Sequence, residues 1–260
     1  MKNKFRFLSY GCFHIETSKG LHILIDPYLD DNPHIDVKSD SFERVDLLLV
    51  SHGPIDHVGD TAKIAKKHGC KVICTDEVYY MMLEEGVAPE QLIKVCWGLA
   101  TIQGDIRIKI IENHHRSLIK LKSGHFAYST PASFIITLED GTRVYNAGDT
   151  ALFSDMKLQG ELYRPHIGLI NVSADYEMDP NFVCGEMSPY EAALASQWLG
   201  LEVAIACHYA IPPKQDQCVM EFMDIMKSMA ANAVSPVHAV APELGEIFEY
   251  SWKEGFEINK

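Results

Sequence analysis

Short segments in which apolar and polar positions alternate, or in which apolar residues run unbroken, recur along the chain. The stretches Phe5–Ser9, Leu21–Asp26, Asp46–Val50, Lys71–Cys74, Ile106–Ile111, Ser133–Leu138, Arg143–Asn146, Ile167–Val172 and Val203–Cys207 predict β-strands. Unbroken blocks such as Leu47-Leu48-Leu49-Val50 suit strands covered on both faces. Asp140-Gly141 between two such runs predicts a hairpin turn.

Helical spacing fills several of the gaps. Asp60 is placed to cap a helix that runs to His68 and stops at Gly69, and Thr75 to cap another that ends before Gly86. Ser188-Pro189-Tyr190-Glu191 combines a capping box with proline at the first helical position. That helix carries Leu194 and Trp198 one turn apart and ends at Gly200. From Lys214 to Met229, Met, Phe and Ile recur at helical spacing and form a core stripe. Parallel and antiparallel strands interleaved with helices predict an α/β sandwich with sheets inside and helices outside. With no repeat, linker or low-complexity tract, residues 1–260 read as one domain.

Charge narrows the partners. Lys and Arg number 23 against 36 Asp and Glu, a net charge of −13. Such a surface repels phosphate backbones, and the densest basic cluster, Lys63, Lys66 and Lys67, reads as the solvated face of a helix. Apolar runs such as Ala204-Ile205-Ala206-Cys207 are too short to span a bilayer, and the N-terminus enters a strand without a signal sequence. The seven cysteines form no tight framework, which fits reduced, mostly buried thiols in the cytoplasm. The expected partner is a small-molecule substrate, with neither nucleic acid nor membrane; a homo-oligomer is compatible with the chain.

Potential metal ligands follow strand ends in four places: His52, Asp56 and His57 in Ser51-His52-Gly53-Pro54-Ile55-Asp56-His57; His114 and His115; Asp149 in Ala147-Gly148-Asp149-Thr150; and His208. Loops at one sheet edge share a rim, so residues distant in sequence can converge there. Imidazole and carboxylate suit zinc or manganese, with iron also compatible, and Asp149 could bridge two ions. His14, His22, His34, His68, His125, His166 and His238 read as ordinary hydrogen-bonding histidines. His68 sits where a cation would meet a helix C-terminus favourably.

Ser-His-x-x-x-Asp-His-x-Gly-Asp, then histidine, then Ala-Gly-Asp-Thr, then histidine, resembles the metallo-β-lactamase superfamily. More narrowly, the chain is similar to its group of metal-dependent hydrolases that includes ascorbate-6-phosphate lactonase, related to the phospholipase D acting on N-acylphosphatidylethanolamine. Ile23 to Leu29, Ala147 to Asp155 and Met187 to Ala193 match further segments of that group. The resemblance implies a four-layer αβ/βα sandwich and a metal-dependent hydrolase using a metal-bound hydroxide on a small ester, lactone or phosphoester. It implies one metal site from His52, His115 and Asp149, with His114 as the alternative to His115, and a second from Asp56, His57, Asp149 and His208. Asp56 would also act catalytically by orienting the attacking hydroxide.

Two positions depart from the group's pattern. Pro54 stands where His-x-His-x-Asp-His has its second histidine, so the first site lacks a ligand and the second is expected to hold the one strong ion. This departure also feeds an alternative reading, a catalytically impaired member that binds a ligand or regulates. The group's early Gly-His-Ser is Ser9-Tyr10-Gly11 here. Tyr176, Glu177 and Phe182, and the cations Arg116 and Lys120, are candidate substrate contacts, although loop packing and a solvated face explain them as well.

Overall fold

Period-two alternation in the early strands serves two cores at once. Ile23, Ile25, Leu47, Leu49 and Ile73 point into one buried cluster, while Leu24, Leu48, Val72 and Cys74 point into another. A strand buried on both faces needs a layer on each side, and the fold supplies a second sheet and a helical layer. The computed structural model describes residues 2–174, 185–231 and 233–258. Tyr176, Glu177 and Phe182 lie outside the described residues.

In chain order the strands are β1 Asn3–Ser9, β2 Cys12–Glu16, β3 His22–Ile25, β4 Leu47–Val50, β5 Lys71–Cys74, β6 Leu92–Lys94, β7 Ala100–Gln103, β8 Ile106–Ile111 and β9 Ser117–Lys120. They continue as β10 Phe126–Ser129, β11 Ser133–Thr137, β12 Arg143–Asn146, β13 Ile167–Asn171, β14 Val203–Cys207, β15 His238–Val240, β16 Ile247–Ser251 and β17 Gly255–Ile258. The helices are α1 Ile55–Val58, α2 Thr61–His68, α3 Asp76–Glu84, α4 Met156–Tyr163, α5 Pro189–Trp198 and α6 Gln217–Ala230. The first sheet has the order β17-β16-β1-β2-β3-β4-β5-β6 and the second β15-β14-β13-β12-β11-β8-β7, with β9 and β10 forming a separate ribbon.

Between the sheets, Phe5, Phe7, Phe13 and Ile15 meet Ile108, Ile110, Phe134 and Ile136. Burying each such side chain contributes about 1.5–3 kcal/mol. Ile64, Ala65, Val78 and Met82 of α2 and α3 cover the outside of the first sheet. Ala192, Ala195, Val219, Phe222 and Met226 of α5 and α6 cover the second. The expected mixed α/β sandwich, sheets inside and helices outside, is the observed architecture.

Strands β3, β4 and β5 run parallel, as do β12, β13 and β14. Each set therefore delivers its C-terminal ends to one edge, where loops can gather ligands. The Asp140-Gly141 hairpin forms between β11 and β12, closed by Gly141 N–H donating to the Leu138 carbonyl at 2.9 Å.

Some local expectations are corrected. Asp60 does not cap α2 through its side chain; its carboxylate accepts instead from the Leu29 and Asp30 amides at 3.0 and 2.8 Å. Thr75 precedes α3 without capping it, because its hydroxyl donates to Glu77 at 2.7 Å. The helix expected from Lys214 begins at Gln217, where the Asp216 carboxylate accepts from the Cys218 and Val219 amides, each at 3.0 Å. At the end of α2, burial and the adjacent Lys67 charge lower the His68 pKa, so the expected cation is disfavoured there. Several strands carried too little apolar signal to be predicted, among them β7 and the β9–β10 ribbon, whose outward positions are exposed.

Candidate metal centre

Six side chains from both sheets meet at the shared edge. His52 leaves β4, and Asp56 and His57 sit on α1 immediately after it. From the second sheet come His115 after β8, Asp149 after β12 and His208 directly after β14. One ligand atom from each of Asp56, His57, Asp149 and His208 lies within 4.8 Å of the others, and the same holds for His52, His115 and Asp149. Asp149 is common to both groups. His57 Nε2 stands 3.0 Å from its Oδ2, His208 Nε2 3.1 Å and His52 Nε2 3.7 Å.

The Asp149 loop depends on a glycine. Gly148 adopts φ 58°, and a Cβ there would stand 3.0 Å from Ser51 Cβ, so the loop carrying Asp149 lies directly on the loop carrying His52. The Asn113 amide and the Ser133 hydroxyl both donate to the Ala147 carbonyl, at 2.9 and 2.6 Å. The second sheet thereby grips the residues just before Asp149.

Each histidine is oriented from behind. His57 Nδ1 lies 2.9 Å from the fully buried Asp26 carboxylate, which also accepts from the Ser51 amide and hydroxyl at 2.8 and 2.7 Å. His208 Nδ1 is 3.0 Å from Glu186 Oε2. His115 Nδ1 donates to the Gly185 carbonyl at 3.2 Å, and Ser51 Oγ lies 3.0 Å from His52 Nδ1. A partner on Nδ1 fixes the tautomer and turns the Nε2 lone pair inward, the usual support of a ligating imidazole. Backbone strain gathers at the same place: Tyr10, Asp26 and His208 adopt φ of 47°, 44° and 71°.

Of the two neighbouring histidines, His115 lies with His52 and Asp149 and His114 does not. His114 turns aside, with Nε2 2.8 Å from Glu112 and its ring stacked on Phe153 at 4.2 Å. His115 instead packs its ring 5.2 Å from that of His52. None of His14, His22, His34, His68, His125, His166 or His238 joins either cluster. Arg116 and Lys120 are exposed on the strand side of His115. Asp26 and Glu186 are residues that sequence reasoning missed; Asp26 closed a predicted strand, and no pattern tied it to a histidine beyond the next strand.

Burial alone disfavours charge on His57, but the carboxylates of Asp149 and Asp26 outweigh it and raise its pKa well above normal. His208 is likewise raised against burial, chiefly by Asp149. Burial opposes ionisation of Asp149, yet the adjoining His208 and His57 hold it well below the usual carboxylate range. Burial and the neighbouring His57 charge push His52 down.

The residues fit a divalent cation. His52 Nε2 and Asp149 Oδ1 are buried and have no hydrogen-bond partner among the described residues. Unsatisfied buried polar atoms are costly, and both residues belong to the groups that share Asp149, where a bound ion would satisfy them. The nitrogen and oxygen donors suit zinc, manganese or iron.

The profile of the "Beta-lactamase superfamily domain" matches residues 22–209. A "UPF0173 metal-dependent hydrolase" of Methanobrevibacter smithii is 33% identical over 247 residues, covering 95% of this chain and 96% of that protein. The chain belongs to the UPF0173 metal-dependent hydrolase family. A second UPF0173 member, from Archaeoglobus fulgidus, is 30% identical over 249 residues, covering 95% of this chain and 99% of its own. Among solved structures, a metallo hydrolase from Ignicoccus hospitalis superposes with a TM-score of 0.75 at 24% identity, over 97% of this chain and 100% of that one. An isothiocyanate hydrolase from Delia radicum gut bacteria gives 0.69 at 15% identity, over 95% and 99%. These structures share the metallo-β-lactamase fold with this UPF0173 protein, which is a metal-dependent hydrolase.

Proposed function

We propose that the protein hydrolyses a small ester, lactone or phosphoester at one strongly held divalent ion. The observation that carries this reading is the inequality of the two clusters about Asp149. Asp56, His57, Asp149 and His208 offer four ligands, whereas His52, His115 and Asp149 offer three beside a proline without a donor atom. Zinc or manganese, with iron compatible, would be held by the first set and more weakly by the second. When bound, such an ion lowers the pKa of water to near neutrality and polarises a carbonyl or phosphoryl oxygen.

The chain's own residues supply the rest. Within its cluster Asp56 keeps the most side-chain exposure, 30% against 0% for His57, 5% for Asp149 and 13% for His208, which suits contact with water and substrate. Burial would raise its pKa, but His208 and His57 hold it below normal, which keeps it an ionised acceptor for a proton of the attacking water. Asp26 and Glu186 keep His57 and His208 aimed inward through turnover. Within this substrate range, the sequence resemblance to ascorbate-6-phosphate lactonase favours phosphorylated lactones. Among the described residues no helix is long and apolar enough to cross a membrane. Cys12, Cys70, Cys74 and Cys207 are buried thiols, which supports a cytoplasmic setting.

The test is a panel of esters, lactones and phosphoesters assayed with wild type and Asp149→Ala. Hydrolysis of at least one class that falls more than about 100-fold in the variant supports the proposal. A variant equal to wild type on every compound overturns it and favours the binding role.

A further inference from the structure

Glu77 is almost fully buried, at 1% exposure, at the start of α3 and outside both ligand clusters. Its Oε1 accepts from the Ser117 hydroxyl at 2.6 Å and from the Thr75 hydroxyl at 2.7 Å. Oε2 is buried with no hydrogen-bond partner among the described residues. Leaving a buried carboxylate oxygen unpaired is costly, so the residue is a poor choice for stability alone. Closing the first turn of α3 explains the bond to Thr75 but not the one to Ser117.

The Ser117 hydroxyl, having donated to Glu77, accepts from the Gly53 amide at 3.0 Å. Gly53 follows His52 directly, and Ser117 lies just beyond His115 at the start of β9. The chain Gly53–Ser117–Glu77–Thr75 therefore joins the loops of two ligands to the end of β5. The contact is also steric. A Cβ on Gly53 would overlap the Ile119 side chain and stand 3.3 Å from Ser117 Oγ and 3.4 Å from Glu77 Cγ. Glycine at 53 lets the His52 loop lie flat on β9, and Glu77 holds the hydroxyl that fastens it there.

We propose that Glu77 is a positioning residue of the metal centre, locking the loops that carry His52 and His115 into register. The proposal rests on the metal-centre reading above and concerns its weaker side. Pro54 removes from that loop a side chain that could be anchored by an ion, so the hold on His52 falls more heavily on protein contacts. Glu77 supplies one from beneath, without touching the ion.

Hydrogen exchange on the metal-free protein tests this apart from activity. In Glu77→Ala, amides in segments 50–55 and 112–119 should exchange about tenfold faster, as expected when a buried hydrogen-bonded anchor is lost, with β14 unchanged. Glu77→Gln, whose amide oxygen can accept both hydroxyls, should restore wild-type exchange. Ser117→Ala should loosen the same two segments and serves if Glu77→Ala fails to fold. Acceleration spread evenly over the molecule, or confined to one segment, overturns the proposal. Zinc titration against a competing chelator separates the two ideas. Weaker zinc binding in Glu77→Ala, with Glu77→Gln like wild type, supports positioning, and a wild type that binds no zinc overturns the metal-centre reading while the exchange result stands.

Discussion

Asp26 and His57 are both fully buried and meet at 2.9 Å, carboxylate oxygen to Nδ1, while the other face of the imidazole looks at Asp149. The contact joins the end of β3 to the helix after β4. It gives His57 one usable lone pair and one direction in which to use it. Asp26→Asn keeps the size but leaves one acceptor oxygen for the two positions that serve the Ser51 amide at Oδ1 and His57 with the Ser51 hydroxyl at Oδ2, and puts an NH2 donor at the other. Its affinity for zinc, measured by chelator competition, should fall about 10–100-fold, as with other partners of ligating histidines. An affinity equal to wild type would show that Asp26 serves only the fold.

Pro54 is replaceable. Its backbone lies at φ −56° and ψ 154°, which ordinary residues adopt, and α1 uses only its carbonyl, which accepts from the His57 and Val58 amides. Pro54→His should therefore fold and add an imidazole beside His52 and His115. Metal analysis after dialysis should find one tightly held equivalent in wild type and a second in the variant. Two dialysis-resistant equivalents in wild type would sink the single-ion proposal.

A pH effect is expected far from the centre. His14 and His22 stand on neighbouring strands with Nε2 and Nδ1 3.0 Å apart and their rings stacked. Burial, helped by the charges of His22 and Arg6, lowers the His14 pKa from an ordinary 6.5 to about 4. Between those values the unfolded chain binds the proton more readily than the folded one. Stability from the neutral imidazole is thus present above pH 6.5 and lost as the pH falls towards 4. Melting temperature followed across that window should drop more steeply in wild type than in His14→Asn; parallel curves would contradict the assignment.

The α5 cap gives a stability prediction without a change of chemistry. Ser188 Oγ donates to Glu191 Oε2 at 2.9 Å and accepts from the Glu191 amide at 3.4 Å, and the same carboxylate takes the Ser188 amide at 2.9 Å. Ser188→Ala should cost about 1 kcal/mol. Urea denaturation would register this as a lower midpoint at an unchanged slope, with metal content retained.

What sequence reveals here is set by distance along the chain. The capping box is legible because Ser188 and Glu191 are three residues apart and obey a local rule. The ligand loops are legible because each follows an apolar strand, and a strand end is a local event. Asp26 with His57, Glu186 with His208 and Glu77 with Ser117 are pairings that only the sheets create. Asp60 shows the converse. It looks like a helix cap, but the turn after Leu29 claims its carboxylate first. Thin edge strands such as β7 were hidden because they bury little, and burial is what leaves a hydrophobic signature.

The centre draws His52, Asp56 and His57 from one sheet and His115, Asp149 and His208 from the other. An ion held there rivets the two halves of the molecule. It binds the assembled sandwich and not the open chain, so every increment of affinity is also an increment of cohesion, about 2.7 kcal/mol when the free ion stands a hundredfold above its Kd. On the proposed ligand set, starvation for metal would loosen the fold as well as stop the reaction.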